Sequence, residues 1–143
     1  MSKADDAAKI FETNNCAQSV LGAYAGDFGL SKDTALSVAV GFGAGMGRLQ
    51  KTCGAVSGAL MALGLASRFK EGDSRDKINN VYAKVRSFTE DFKKEYGTEN
   101  CCDLLGCNLL TQEGHKYFED NKLRDKCREY VMFCCDLLDK YIS

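Results

Sequence analysis

Not one proline interrupts the 143 residues of this chain, and nowhere does a run of β-branched residues alternate with polar ones. Proline is the strongest helix breaker, and period-two alternation is the mark of a half-buried strand. A chain with neither is left with the helical period as its organising pattern. The expected fold is therefore all-α. With no linker-like stretch, residues 1–143 are expected to form a single compact domain of about five to seven helices, large enough to bury a core without disulfides.

Apolar spacing places those helices. From about Ala4 to Tyr24, Ile10, Ala17, Leu21 and Tyr24 share a stripe, with Asn14-Asn15-Cys16 as the place where the helix breaks or restarts. Ser31 reads as an N-cap for a helix carrying Ala35, Val38, Ala39 and Phe42 inward, and a glycine-rich turn follows. The next helix runs from about Cys53 to Phe69. From about Asp73 to Tyr96, Ile78, Val81, Val85, Phe88 and Phe92 recur at steps of three and four with charges between them, the pattern of an outer wall. Thr98 and Thr111 are candidate caps for two short helices, the first holding Cys101, Cys102, Leu104 and Leu105 and ending at Gly106. A last helix, about Lys122 to Tyr141, aligns Cys127, Val131, Cys134, Leu138 and Tyr141.

The helix from Cys53 carries Gly54, Gly58, Ala55, Ala59 and Ala62. An interior glycine costs roughly 1 kcal/mol against alanine, so two of them one turn apart make sense only where another backbone or a buried group comes close. The small-residue stripe suits either an internal packing face or a homodimer contact. Cys53 stands at the start of this helix, where unpaired N–H groups and the positive end of the dipole favour a thiolate over a thiol. On that ground it is the first residue to suspect of reactivity.

Composition removes several classes of function. The 19 Lys and Arg against 20 Asp and Glu leave a net charge of −1 with the signs mixed, whereas nucleic-acid and membrane-surface binders need a concentrated basic face. The first ten residues hold two acids in place of a basic start and apolar run, and Ala55 to Ala66 is too short for the ~20 residues of a bilayer crossing. No membrane insertion is expected, and a cytoplasmic location is. There, eight cysteines are free thiols, metal ligands or redox centres rather than a disulfide framework.

Local motifs narrow the chemistry. The run Gly41 to Gly47 fails the dinucleotide pattern, whose third glycine would fall on Met46 or Arg48, and it lacks the Lys-Ser/Thr ending of a phosphate loop. A turn that lets the chain pass close to Cys53 accounts for it better. No C-x-x-C occurs. In the adjacent pairs Cys101-Cys102 and Cys134-Cys135, neighbours on a helix point about 100° apart, so one of each is expected to face inward. His115, the sole histidine, sits in a polar segment and reads as exposed and ordinary. Glu90, Asp91 and Glu95 alternate with Lys93 and Lys94 as a solvated face does.

Taken together, Asn15-Cys16-Ala17-Gln18-Ser19-Val20-Leu21, the run Gly41 to Gly47, Cys53-Gly54-Ala55-Val56-Ser57-Gly58, Asn100-Cys101 with Leu104-Leu105-Gly106-Cys107, and Cys127-Arg128-Glu129-Tyr130-Val131 resemble the C_GCAxxG_C_C family of redox-active proteins. The match is nearly end to end and in order. The four cysteines that name the family fall here on Cys16, Cys53, Cys101 and Cys127, and Cys107 stands where members often have a further one. Cys102, Cys134 and Cys135 are extras. The resemblance implies redox function with an unnamed redox partner protein, but no particular cofactor.

Four thiols from four segments can meet only if the helices fold around one point, and the small face at Gly54, Ala55 and Gly58 is where that is sterically easiest. Two chemistries then stand open. The thiolates of Cys16, Cys53, Cys101 and Cys127, with Cys107 as a candidate fifth cofactor ligand, ligate an iron–sulfur cluster, or a single iron or zinc, for electron transfer. Alternatively, without any metal, Cys53 is a low-pKa nucleophile resolved by Cys16 or Cys127 as a disulfide. A third reading makes the chain a helical interaction module whose cysteines only pack.

Overall fold

The computed structural model describes residues 2–142, and among these the only β-pairing is one isolated bridge, Thr52 with Asn100. Eight α-helices form: α1 Lys3–Phe11, α2 Cys16–Ala25, α3 Lys32–Ala39, α4 Gly54–Ser67, α5 Arg75–Tyr96, α6 Cys101–Leu105, α7 Gln112–Asp120 and α8 Leu123–Ile142. The class is as expected and the count is one above the expected range. The extra helix arises where the first stripe breaks. There the Asn14 side-chain amide donates to the Ile10 carbonyl, while Asn15 opens α2 with a reciprocal capping box to Gln18.

Other ends also follow from side-chain chemistry. Ser31 caps α3 and Thr111 caps α7, each accepting from the backbone N–H three residues on. Thr98 does not cap α6 directly: its hydroxyl accepts from the Asn100 N–H, and Asn100 is the N-cap. The expected apolar stripe of α3 narrows to Ala35 and Ala39, with Val38 and Phe42 exposed. At both buried positions only a methyl group separates α3 from its neighbour.

Helix α2 lies at the centre, packed on α1, α3 and α4, and α8 crosses α1, α4 and α5. The glycine stripe of α4 takes the internal of its two uses. A Cβ on Gly58 would stand 2.6 Å from the Ala17 carbonyl oxygen, so α2 and α4 touch backbone to backbone. Because α8 is covered on several sides, its buried arc is wide, and Cys134 and Cys135 are both fully buried. The expectation that one of that pair faces out is therefore corrected, whereas Cys101 is buried and Cys102 exposed as expected. Phe92 and Tyr96 of α5 meet Tyr130 and Phe133 of α8 edge-on and hold the two helices together. Tyr24 ties α2 to α8, donating to the Cys135 carbonyl (2.9 Å) and the Asp139 carboxylate (2.7 Å). No helix among the described residues is long and apolar enough to cross a membrane.

The glycine-rich run is a left-handed turn. Ala44 and Gly45 have φ/ψ of 55°/39° and 66°/49°, and Met46, Arg48 and Gln50 also have positive φ. Such a conformation costs a non-glycine residue roughly 1–2 kcal/mol. Bonds from Gly47 N–H to Gly43 (2.8 Å) and from Lys51 N–H to Gly45 (2.9 Å) close the turn and offset part of that cost. It runs close to Cys101 and to the start of α4: a Cβ on Gly45 would come within 2.8 Å of the Cys101 Cβ, and one on Gly54 within 2.9 Å of the Phe42 carbonyl oxygen.

Candidate functional site

Each of the four cysteines singled out by the motif is held by a different device. Cys16 is the first residue of α2, fixed by the Asn15 cap, whose side-chain amide also donates to the Val40 carbonyl at the start of the glycine turn. Cys53 is the N-cap of α4. Its N–H donates to the Glu99 carbonyl at 2.7 Å, and the Cys101 N–H returns to the Lys51 carbonyl at 2.7 Å. This short antiparallel pairing around the Thr52–Asn100 bridge brings Cys53 and Cys101 together. Cys127 lies on α8, one turn after Arg124. The Arg124 guanidinium stacks 4.1 Å from the Phe11 ring centroid and donates to the Phe11 and Asn14 carbonyls, docking the start of α8 on the end of α1.

These devices converge on a cavity of about 210 Å³, with Cys16, Cys53, Cys101 and Cys127 all in its wall. Phe11, Leu104, Leu105, Leu109 and Phe118 supply apolar lining, while Arg48, His115, Arg124 and Tyr130 add polar groups. Cys16, Cys53 and Cys101 are buried and Cys127 is half-buried. Cys107 is half-buried and stands outside this wall, beside exposed Cys102; Cys134 and Cys135 lie in the core. His115 is exposed as expected, its ring nitrogen 3.6 Å from the Glu119 carboxylate, yet it sits at the cavity edge.

Burial dominates the electrostatics. It pushes the Cys53 thiol well above its ordinary range, the neighbouring Cys16 adds to the rise, and backbone N–H groups of Ala55 and Val56 oppose it. The expectation of a low-pKa Cys53 is thus corrected: the helix N-terminus is present, but loss of water outweighs it. Cys16 is raised for the same first reason, against backbone hydrogen bonds from Ala44, Ala17 and Ala55. Cys101 and Cys127 are each pushed up to about 12, by burial first and then by Cys16. The Gln50 side chain pulls Cys101 down and Arg124 pulls Cys127 down. The four thiols thus act on one another electrically, and each has a hydrogen-bond donor or a cation opposing the effect of burial.

Among the described residues, no three His, Cys, Asp or Glu side chains stand close enough to hold one metal ion. Four thiolates around a single ion would sit about 3.8 Å apart, given metal–sulfur bonds of about 2.3 Å. Cys16, Cys53, Cys101 and Cys127 share the cavity wall without forming such a preset site.

Sequence reasoning missed Arg124, Arg48, Asn15 and Gln50 as parts of this site. Only Arg124 left a readable signal, a cation one helical turn before Cys127. Gln50 gave none, because its role follows from a positive φ of 57° and burial to 6% exposure in an irregular segment.

A curated protein of Archaeoglobus fulgidus, described as "Uncharacterized protein", is 35% identical over 101 residues, covering 65% of this chain and 66% of its own length. The chain thus spans just under two thirds of that curated relative. No solved structure matches it. Residues 14–141 match the family described as "Putative redox-active protein (C_GCAxxG_C_C)", and with the family's cysteines gathered at one cavity in an all-helical fold, the chain belongs to that family.

Proposed function

We propose that Cys16, Cys53, Cys101 and Cys127 hold a sulfur-ligated metal centre in the cavity, an iron–sulfur cluster before a single iron or zinc, and that the protein uses it for electron transfer. The observation that carries this reading is the shared cavity: four thiols from four separate segments in one apolar wall. Two thiols suffice for disulfide exchange; four around one space suit soft-metal ligation. An iron–sulfur cluster would supply one-electron chemistry at a potential set by burial and by hydrogen bonds to sulfur.

The residues of the chain do the rest. The N-terminal turns of α2 and α4 direct N–H groups toward Cys16 and Cys53, and Gln50 toward Cys101. Bonds of this kind stabilise coordinated thiolates and raise the potential. Arg124, exposed but without a carboxylate partner among the described ion pairs, places positive charge beside Cys127 and offsets the negative charge that bound thiolates bring. Phe11, Leu104, Leu105 and Phe118 keep water from the sulfurs. All four thiols have raised pKa values, so each must release a proton on metal uptake, and affinity of the metal-free protein for iron rises with pH.

Iron and labile-sulfide analysis with visible absorption on anaerobically purified protein tests the reading. Both elements are expected, with a broad sulfur-to-iron absorption that bleaches on reduction. Colourless, metal-free protein with a reversible disulfide between Cys53 and Cys16 or Cys127 would instead support the thiol–disulfide alternative, whose partners the same cavity holds.

A further inference from the structure

A second pair of sulfurs lies outside the cavity. Helix α6 ends at Gly106, whose φ of 69° is left-handed and whose N–H returns to the Cys102 carbonyl at 2.8 Å. This single return bond, the simpler left-handed cap, holds Gly106 against the Cys102 carbonyl and so keeps its chain neighbour Cys107 close to Cys102. Gln50 fixes both from the other side: its carbonyl accepts from the Cys102 N–H at 3.1 Å, and its side-chain amide donates to the Cys107 carbonyl at 2.8 Å. Gln50 is itself pinned, accepting from the Leu109 N–H at 2.9 Å. Cys102 is exposed and Cys107 half-buried. Burial raises the Cys107 pKa, and the nearby Cys102 is the second cause.

We infer that Cys102 and Cys107 form a solvent-facing dithiol, separate from the metal-binding cavity, that cycles to an intramolecular disulfide by two-electron exchange with an external disulfide. Cys102, the accessible sulfur, attacks one sulfur of the external disulfide, forming a mixed disulfide and releasing the first external thiol. Cys107 then attacks the Cys102 sulfur, closing the internal bond and releasing the second. Two protons leave Cys102 and Cys107 and end on the two released thiols. The pair loses two electrons and the external disulfide gains them. Cys101, one residue earlier, faces the cavity about 100° around the helix from Cys102, so the two sulfur sites share one short helix without sharing ligands.

The test is anaerobic full-length protein equilibrated with oxidised and reduced glutathione, acid-quenched, alkylated and cleaved before Asp103, which separates Cys102 from Cys107. The expected product is one internal disulfide joining those two fragments, with no glutathione retained. Cys107→Ser traps glutathione on Cys102, and Cys102→Ser loses both the internal bond and the adduct. Both serines stand where the native side chain is at least partly solvated, and retained helical circular dichroism checks the fold. A stable glutathione adduct on Cys102 of the native protein, a Cys102 that stays free, or an internal disulfide that survives Cys102→Ser would each overturn the inference.

Discussion

Serine at position 16, 53, 101 or 127 is expected to abolish iron retention, one variant at a time, while alanine at position 134 leaves it intact. The contrast is the informative part, because Cys134 is as deeply buried as any of the four and lies close enough to Cys53 and Cys16 for their charges to raise its pKa. It belongs to the core, outside the cavity wall. Cys134→Ala removes one buried heavy atom and is expected to cost about 1 kcal/mol, as small core truncations do, with iron content unchanged. A serine in the wall keeps the volume but replaces a soft ligand by a hydroxyl that binds iron and zinc poorly. Iron per chain and thermal unfolding, measured on all five variants, read both effects. Native protein that carries no iron, with variants that change stability alone, would favour the interaction-module reading.

Gly58→Ala should be about as damaging to the fold as the serine variants are to the site. In an isolated helix alanine would be favoured by about 1 kcal/mol. Here the added methyl would lie 2.6 Å from the Ala17 carbonyl oxygen and 3.2 Å from its Cα, atoms that no rotamer change can move. Overpacking of this kind typically costs 1–3 kcal/mol, and a backbone contact puts the expected net loss at the upper end, about 3 kcal/mol. Gly54→Ala acts on the site itself, since its Cβ would overlap the Cys16 sulfur and press on the Phe42 carbonyl. It is expected to lose iron as well as stability. Gly64→Ala, on the same helix with nothing near its Cβ, is the control and should be neutral or stabilising by up to about 1 kcal/mol. Chemical denaturation of the three variants checks the order. A Gly58→Ala protein as stable as Gly64→Ala would show that α2 and α4 are not in backbone contact.

The two glycines also explain what the family motif encodes. Gly54 leaves room for the Cys16 sulfur and Gly58 for the Ala17 backbone, so the spacing in Cys53-Gly54-Ala55-Val56-Ser57-Gly58 records the approach of α2 along α4. That glycine was required there was legible, because its helical cost demanded a close neighbour. Which neighbour was not, since α2 comes from a distant segment.

Local chemistry made most of the architecture readable. The Ile78 to Phe92 stripe marks α5, with its first half only partly covered as an outer wall would be, and the caps at Ser31 and Thr111 fall where their hydroxyls placed them. Where short-range rules misplaced an element, a tertiary contact had prevailed: α8 buries both Cys134 and Cys135 because neighbours cover it on several sides. The sign of the Cys53 shift was misread for a related reason. The helix end is visible in sequence, whereas the burial that outweighs it is a property of the assembled fold. The gathering of sulfurs was suggested by resemblance, but its means was hidden. The Thr52–Asn100 bridge and the Arg124 bonds to the Phe11 and Asn14 carbonyls join segments whose side chains carry no complementary pattern.

Iron X-ray absorption on anaerobically purified protein tests the proposed centre most directly. The expected result is an iron shell made of sulfur alone, with a second iron at cluster distance. A shell dominated by nitrogen and oxygen, or protein that carries no iron and cannot be loaded with it, would contradict a metal centre held by Cys16, Cys53, Cys101 and Cys127.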